Sequence, residues 1–131
     1  MRARLSAKEK RFIDRARVCR VGSVDRRGAT HVAPLCHAFD SDTRTAYVAT
    51  EGVTAKNLRA RRRASLECDD YFEDWRRLRG VVTHARARVV RGGAELAHAV
   101  RLLRRKFRQY RDYEFEEVIA LHIDGVTSWG L

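Results

Sequence analysis

The chain has 131 residues, 44% hydrophobic and 34% charged, with 28 Lys and Arg against 17 Asp and Glu and a net charge of +11. That size suits one domain with a buried core, and one proline with eight glycines argues against disorder. No apolar run reaches the ~18–20 residues that span a bilayer, and the charged start Met1-Arg2-Ala3-Arg4-Leu5-Ser6 lacks the apolar stretch of a signal peptide, so a cytoplasmic protein without membrane partners is expected.

Ser6-Ala7-Lys8-Glu9 is a capping box ahead of Phe12 and Ile13, which predicts a helix from about Ala7 to Arg15. Val18 to Val24 reads as a strand, Asp25-Arg26-Arg27-Gly28 as a hairpin turn, and Thr30 to Phe39 as the partner strand. Pro34 in that partner has no N–H for a ladder and marks an edge or a bulge. A turn at Asp40 to Thr43 leads into a strand over Thr45 to Ala49. A short helix is expected from about Ala55 to Arg61, with Thr54 as its N-cap. Ala64 to Asp69 follows as a strand with Ala64, Leu66 and Cys68 on one face. Val81 to Val90 alternates clearly, with Val81, Thr83, Ala85, Ala87 and Val89 facing one way and Arg86 and Arg88 the other. Leu96, Ala99, Val100, Leu103 and Phe107 recur at helical spacing, and residues 117–123 and 126–129 form a last strand or strand pair. The order lacks a regular β-α-β alternation, so a small antiparallel β-barrel with peripheral helices is the expected architecture.

Two readings of the central segment stay open. The strand ending in Tyr47-Val48-Ala49-Thr50, a glycine-containing loop, Thr54 and Lys56 together resemble an anion cradle, since a helix N-terminus offers free N–H groups and a positive dipole end. The same residues also make an ordinary strand-to-helix turn. Arginine is spread along the whole chain, which favours a generally basic surface over a dedicated nucleic-acid arm. Cys19, Cys36 and Cys68 are odd in number and contain no CxxC pair, so buried thiols are expected in place of disulfides or a zinc site. His84, His98 and His122 have no metal-ligand spacing. No Ser-His-Asp or Cys-His arrangement points to a nucleophilic enzyme.

Taken in order, these segments resemble the pyridoxamine 5′-phosphate oxidase-like family of FMN-binding split barrels. The resemblance is carried by residues 21–28, His31-Val32-Ala33-Pro34 and the strand up to Phe39, Tyr47 to Thr50, Thr54 to Arg59, Arg63 to Leu66, Asp74 to Ala87, and Val126 to Gly130. It implies a single split-barrel domain over residues 1–131, a homodimer with cofactor between subunits, and an oxidoreductase passing hydride or electrons to a small-molecule substrate. By position, His31, Val32, Ala33 and Pro34 would line the flavin ring and ribityl chain, and Tyr47, Val48, Ala49 and Thr50 would pack beneath. Thr54, Ala55 and Lys56 would hold the phosphate, with Arg79 and Val81 nearby; no catalytic residue is named and no metal is implied. Tyr71 and Trp75 would cover the ring or fill the dimer interface.

The chain departs from the family in carrying Arg61-Arg62-Arg63 where an Asn-Pro-Arg-like turn is usual, and in setting Lys56 directly against Asn57-Leu58. It lacks the oxidase's C-terminal extension and vitamin-substrate cluster, which points away from pyridoxamine phosphate oxidation. Alternatives on the same fold are a reductase using deazaflavin F420, whose acidic tail a basic surface would suit, and a non-catalytic flavin or haem-type carrier. A basic nucleic-acid-binding barrel without cofactor is the remaining reading.

Overall fold

The structure, a computed structural model, describes residues 1–131. Helix α1 (Ala7–Arg15) is followed by strands β1 (Val18–Val24), β2 (Thr30–Asp40) and β3 (Thr45–Val48), then helix α2 (Gly52–Ala60). Strands β4 (Arg63–Asp70) and β5 (Arg79–Val90), helix α3 (Gly93–Lys106) and strand β6 (Val118–Trp129) complete the chain. The six strands close into an antiparallel barrel in the order β1-β2-β3-β6-β5-β4. This is the mainly β, helix-flanked architecture that the strand pattern implies.

The capping box of α1 is formed in both directions: the Glu9 N–H donates to Ser6 Oγ, and the Ser6 N–H donates to the Glu9 carboxylate. Expected ends fall within a few residues of those observed, with one correction and one open choice decided. First, α2 begins at Gly52, because that glycine adopts φ +74° and turns the chain into the helix early. Glu51 stands at the N-cap without a side-chain cap bond, and Thr54 is inside the first turn. Second, the chain's end is one strand. β5 and β6 run together from Gly80↔Trp129 to Val90↔Val118, and a bulge at Asp124 shifts the register between His84 and Ala85.

Alternation along the strands points one set of side chains inward. Val21, Leu66, Val81, Ala85, Leu121 and Ile123 fill the barrel, capped by Ile13 of α1 and Leu58 of α2. A second core lies outside it, where Ala99 and Leu103 of α3 cover Ala38, Tyr47 and Ala120. β3 therefore has apolar cover on both faces, which explains its unbroken small and apolar sequence. The barrel closes through a short seam, Arg20↔Glu67 to Gly22↔Ser65. β2 pairs with β3 only from His37 onward, so Thr30–Cys36 is bonded on one side alone; Pro34 lies on this open edge, as its missing N–H requires.

Candidate functional site

A cleft of about 670 Å³ lies between the β1–β2 turn and α2, lined by Asp25, Arg26, Arg27, Lys56, Asn57 and Arg59 together with Ala60. The turn forming its first wall is stiffened by Asp25, whose Oδ1 accepts from the N–H groups of Arg27 at 2.8 Å and Ala29 at 2.9 Å. Gly28 closes the turn at φ +90°. The second wall is fixed by buried Asn57, whose Nδ2 donates to buried Ser23 Oγ on β1 at 3.1 Å. Arg61 Nη2 donates to the Arg26 carbonyl at 3.0 Å and ties the two walls together. With Asp25 engaged in the turn and Arg59 paired with Glu117, the cleft presents Arg26, Arg27 and Lys56 to solvent. Two guanidinium forks and an ammonium are donors suited to a phosphate monoester.

The structure separates residues that the sequence groups together. Lys56 lines this basic cleft, whereas Ala49 and Thr50 line another of about 580 Å³ with Glu51, Glu114, Glu116 and Glu117. Those carboxylates offset the positive end of the α2 dipole and would repel an anion, so the helix N-terminus is not the cationic part of the site. Thr54 and Ala55 are buried against the barrel. Val48 and Val81 lie inside it, and Tyr47 lies under α3 with Oη donating to Glu95 Oε2 at 2.9 Å. Burial and that carboxylate push the Tyr47 hydroxyl far up. These side chains are core elements.

Of His31, Val32, Ala33 and Pro34, Val32 and Pro34 share a surface. Val32 is 65% exposed and Pro34 faces the same way, while His31 and Ala33 are half-buried on the other side of β2. Arg79 stands elsewhere, held by Asp70 at 2.7 Å in a groove beside α1. His37 proves to be a packing residue: fully buried, its Nε2 lies 2.7 Å from the Ile13 carbonyl, so that nitrogen carries the proton and Nδ1 is left without a partner. Burial, aided by nearby Lys106, lowers its pKa to about 4. Cys36, expected as a buried thiol, is exposed on the outward side of β2, whereas Cys19 and Cys68 are buried and pushed up to about 12 by burial. Asp69, Asp70 and Asp74 each pair with an arginine. Arg26 and Arg27 were hidden from sequence reasoning by their place in a turn; the adjacent arginine pair opposite Lys56 was the available signal. No three His, Cys, Asp or Glu side chains converge as a metal site, and no helix is long and apolar enough to cross a membrane.

Residues 5–130 match the family model described as "Pyridoxamine 5′-phosphate oxidase". No curated protein matches the chain in sequence. Among solved structures, a conserved hypothetical protein from Mycobacterium tuberculosis is similar with a TM-score of 0.81 at 18% identity, covering 97% of this chain and 86% of that one. An FMN-binding protein from Syntrophomonas wolfei has a TM-score of 0.74 at 15% identity, covering 95% of this chain and 85% of its own. The heme storage protein HutZ from Vibrio cholerae has a TM-score of 0.74 at 14% identity, covering 97% and 94%. A sequence match over nearly the whole length and the six-stranded barrel agree: the chain belongs to the pyridoxamine 5′-phosphate oxidase family and has its split-barrel fold.

Proposed function

We propose that the chain binds FMN as a homodimer and passes hydride or electrons between the flavin and a small substrate. The observation that carries this reading is the cleft in which Arg26, Arg27 and Lys56 face a common space with their only carboxylate, Asp25, tied into the turn. A phosphate there is met by cations on two walls, and Asn57 and Arg61 hold those walls in place. The β2 segment His31–Pro34 follows directly from the cationic turn and supplies the apolar ledge that a flavin ring needs. Family membership and a relative of the same fold that is an FMN-binding protein support the choice of cofactor.

Bound FMN supplies a ring that takes up and returns hydride or electrons. The chain's residues bind and orient: Arg26, Arg27 and Lys56 neutralise the phosphate, while Val32 and Pro34 exclude water from one side of the ring. The neighbouring edge of β2, Thr30–Cys36, is unpaired within one protomer and would be free to meet a second copy. A second copy completes the enclosure, which is why the reading includes a homodimer.

The test is a visible absorbance and fluorescence titration of purified protein with FMN, then F420, then hemin, repeated on the Arg26→Ala, Arg27→Ala, Lys56→Ala triple variant. FMN should bind and quench, and the variant should weaken it by about a hundredfold or more, because each lost charge-assisted bond is worth ~1.5–3 kcal/mol. Capture of F420 alone would make the protein a deazaflavin reductase, and capture of hemin alone a haem carrier. FMN binding unchanged in the variant would remove the cleft from the site.

A further inference from the structure

Arginine that is scattered in sequence is gathered by the fold on the flank of α1, away from the Lys56 cleft. One groove of about 400 Å³ is lined by Lys8, Arg11, Arg15 and Arg79 beside Phe12 and Asp70. A second, of about 470 Å³, is lined by Arg15, Arg17, Arg105 and Lys106 beside Asp14. Arg15 lines both, so the two grooves adjoin as one track. Only Arg79 among these cations has a carboxylate partner, and two acidic side chains face seven basic ones. Lys8, Arg11 and Arg15 stand at i, i+3 and i+7, on one face of α1 and about 10 Å from end to end.

A second observation points to the occupant. The loop between β4 and β5 leaves the first groove at Asp70 and returns to it at Arg79, and it carries Tyr71 and Trp75 at 61% and 73% exposure. Trp75 Nε1 donates to Tyr71 Oη at 3.3 Å, so the two rings stand together in solvent. A concave cationic track with exposed aromatic rings at its rim matches the physical needs of single-stranded nucleic acid, whose phosphates follow cations and whose bases stack on rings. A flat bilayer fits less well, because these cations line grooves, and the apolar lining residues Ala38 and Phe39 are recessed at 2% and 5% exposure.

We propose that the α1 flank is a binding track for single-stranded nucleic acid, with Lys8, Arg11, Arg15 and Arg17 on the phosphates and Trp75 and Tyr71 stacking bases. This surface shares no residue with the Lys56 cleft.

The test is fluorescence anisotropy of the full chain with a labelled oligothymidylate of about 16 nucleotides over a salt series. Five net positive charges on the track give an expected slope of log affinity against log salt of about −3.5. The Lys8→Gln, Arg11→Gln, Arg15→Gln variant should lose about a hundredfold at low salt and flatten the slope by about 2. Trp75→Ala should lose about tenfold with the slope unchanged. FMN titration of the Lys8→Gln, Arg11→Gln, Arg15→Gln variant should match the parent protein. Absence of oligonucleotide binding at low salt overturns the proposal, as does binding that ignores the triple variant. Phosphatidylserine–phosphatidylcholine vesicles captured through the same three residues, with the oligonucleotide left free, would overturn it in favour of a membrane surface.

Discussion

Glu9 is the one buried acidic residue in the molecule, and replacing it with glutamine tests how the N-terminal segment is held. Its side chain is 2% exposed and accepts from the Ser6 N–H at 2.7 Å, from Ser128 Oγ at 2.6 Å and from both terminal nitrogens of Arg2. One group thus ties the cap of α1, the segment before it and the end of β6. Burial alone would raise its pKa, but the bonds from Arg2, Ser128 and Ser6 outweigh it and hold the carboxyl at about 2. A fall from 4.5 to about 2 on folding corresponds to about 3 kcal/mol favouring the folded state. The folded value is the lower one, so this contribution is complete above pH 4.5 and is lost as the pH falls towards 2. Glu9→Gln should therefore cost about 3 kcal/mol at neutral pH, roughly 10 °C in Tm for a domain of this size. Urea unfolding followed by circular dichroism from pH 7 to pH 2 reads both the loss and its pH dependence. A loss below about 1 kcal/mol at pH 7, or a gap between the proteins that stays constant down to pH 2, would refute the reasoning.

Two further predictions follow from the cores. His37 is neutral when folded down to about pH 4, whereas the unfolded chain takes up the proton near 6.5, so stability falls as pH drops through that window. Between pH 7 and pH 5 the parent protein should lose about 2 kcal/mol that His37→Gln does not, read from urea midpoints; equal losses in both would show that His37 does not titrate in this way. Gly80 lies beneath the Trp129 ring, and a Cβ there would overlap it. Gly80→Ala should push the ring outward, cost about 1–2 kcal/mol and shift tryptophan emission to the red; unchanged emission and stability would mean that the ring does not pack on β5.

The fold was legible where local rules act on one element at a time. Alternation in Val81–Ala87 and the helical spacing of Ala99 and Leu103 report burial directly, and both became core faces. The capping box at Ser6 and Glu9 is a pattern of four residues and formed as written, although Arg2 and Ser128 as its added partners are long-range facts that no window contains. Pro34 correctly marked an edge because its chemistry forbids one side of a ladder. The start of α2 was missed because Gly52 makes the turn through positive φ, which spacing does not reveal. Tyr47 looked like a ledge for a ligand and is a support for α3, since a strand read alone does not say which of its faces another helix will cover. The basic cleft escaped for the converse reason: Arg26–Arg27 and Lys56 are brought together only when Asn57 of α2 reaches Ser23 of β1.

The position of β6 has a consequence for how the protein is made. It follows the other five strands in sequence, yet it sits between β3 and β5 and supplies the longest ladder of the barrel. During synthesis, β3 and β5 emerge with hydrogen-bonding edges that have no partner until residues 118–129 clear the ribosome. The nascent chain can form its hairpins and helices early, but closure waits on this late strand, as expected of a fold dominated by non-local pairing. Chains interrupted before Val118 would expose two complementary edges at once, and the ribosome-bound interval is when this protein is most open to aggregation and to chaperones.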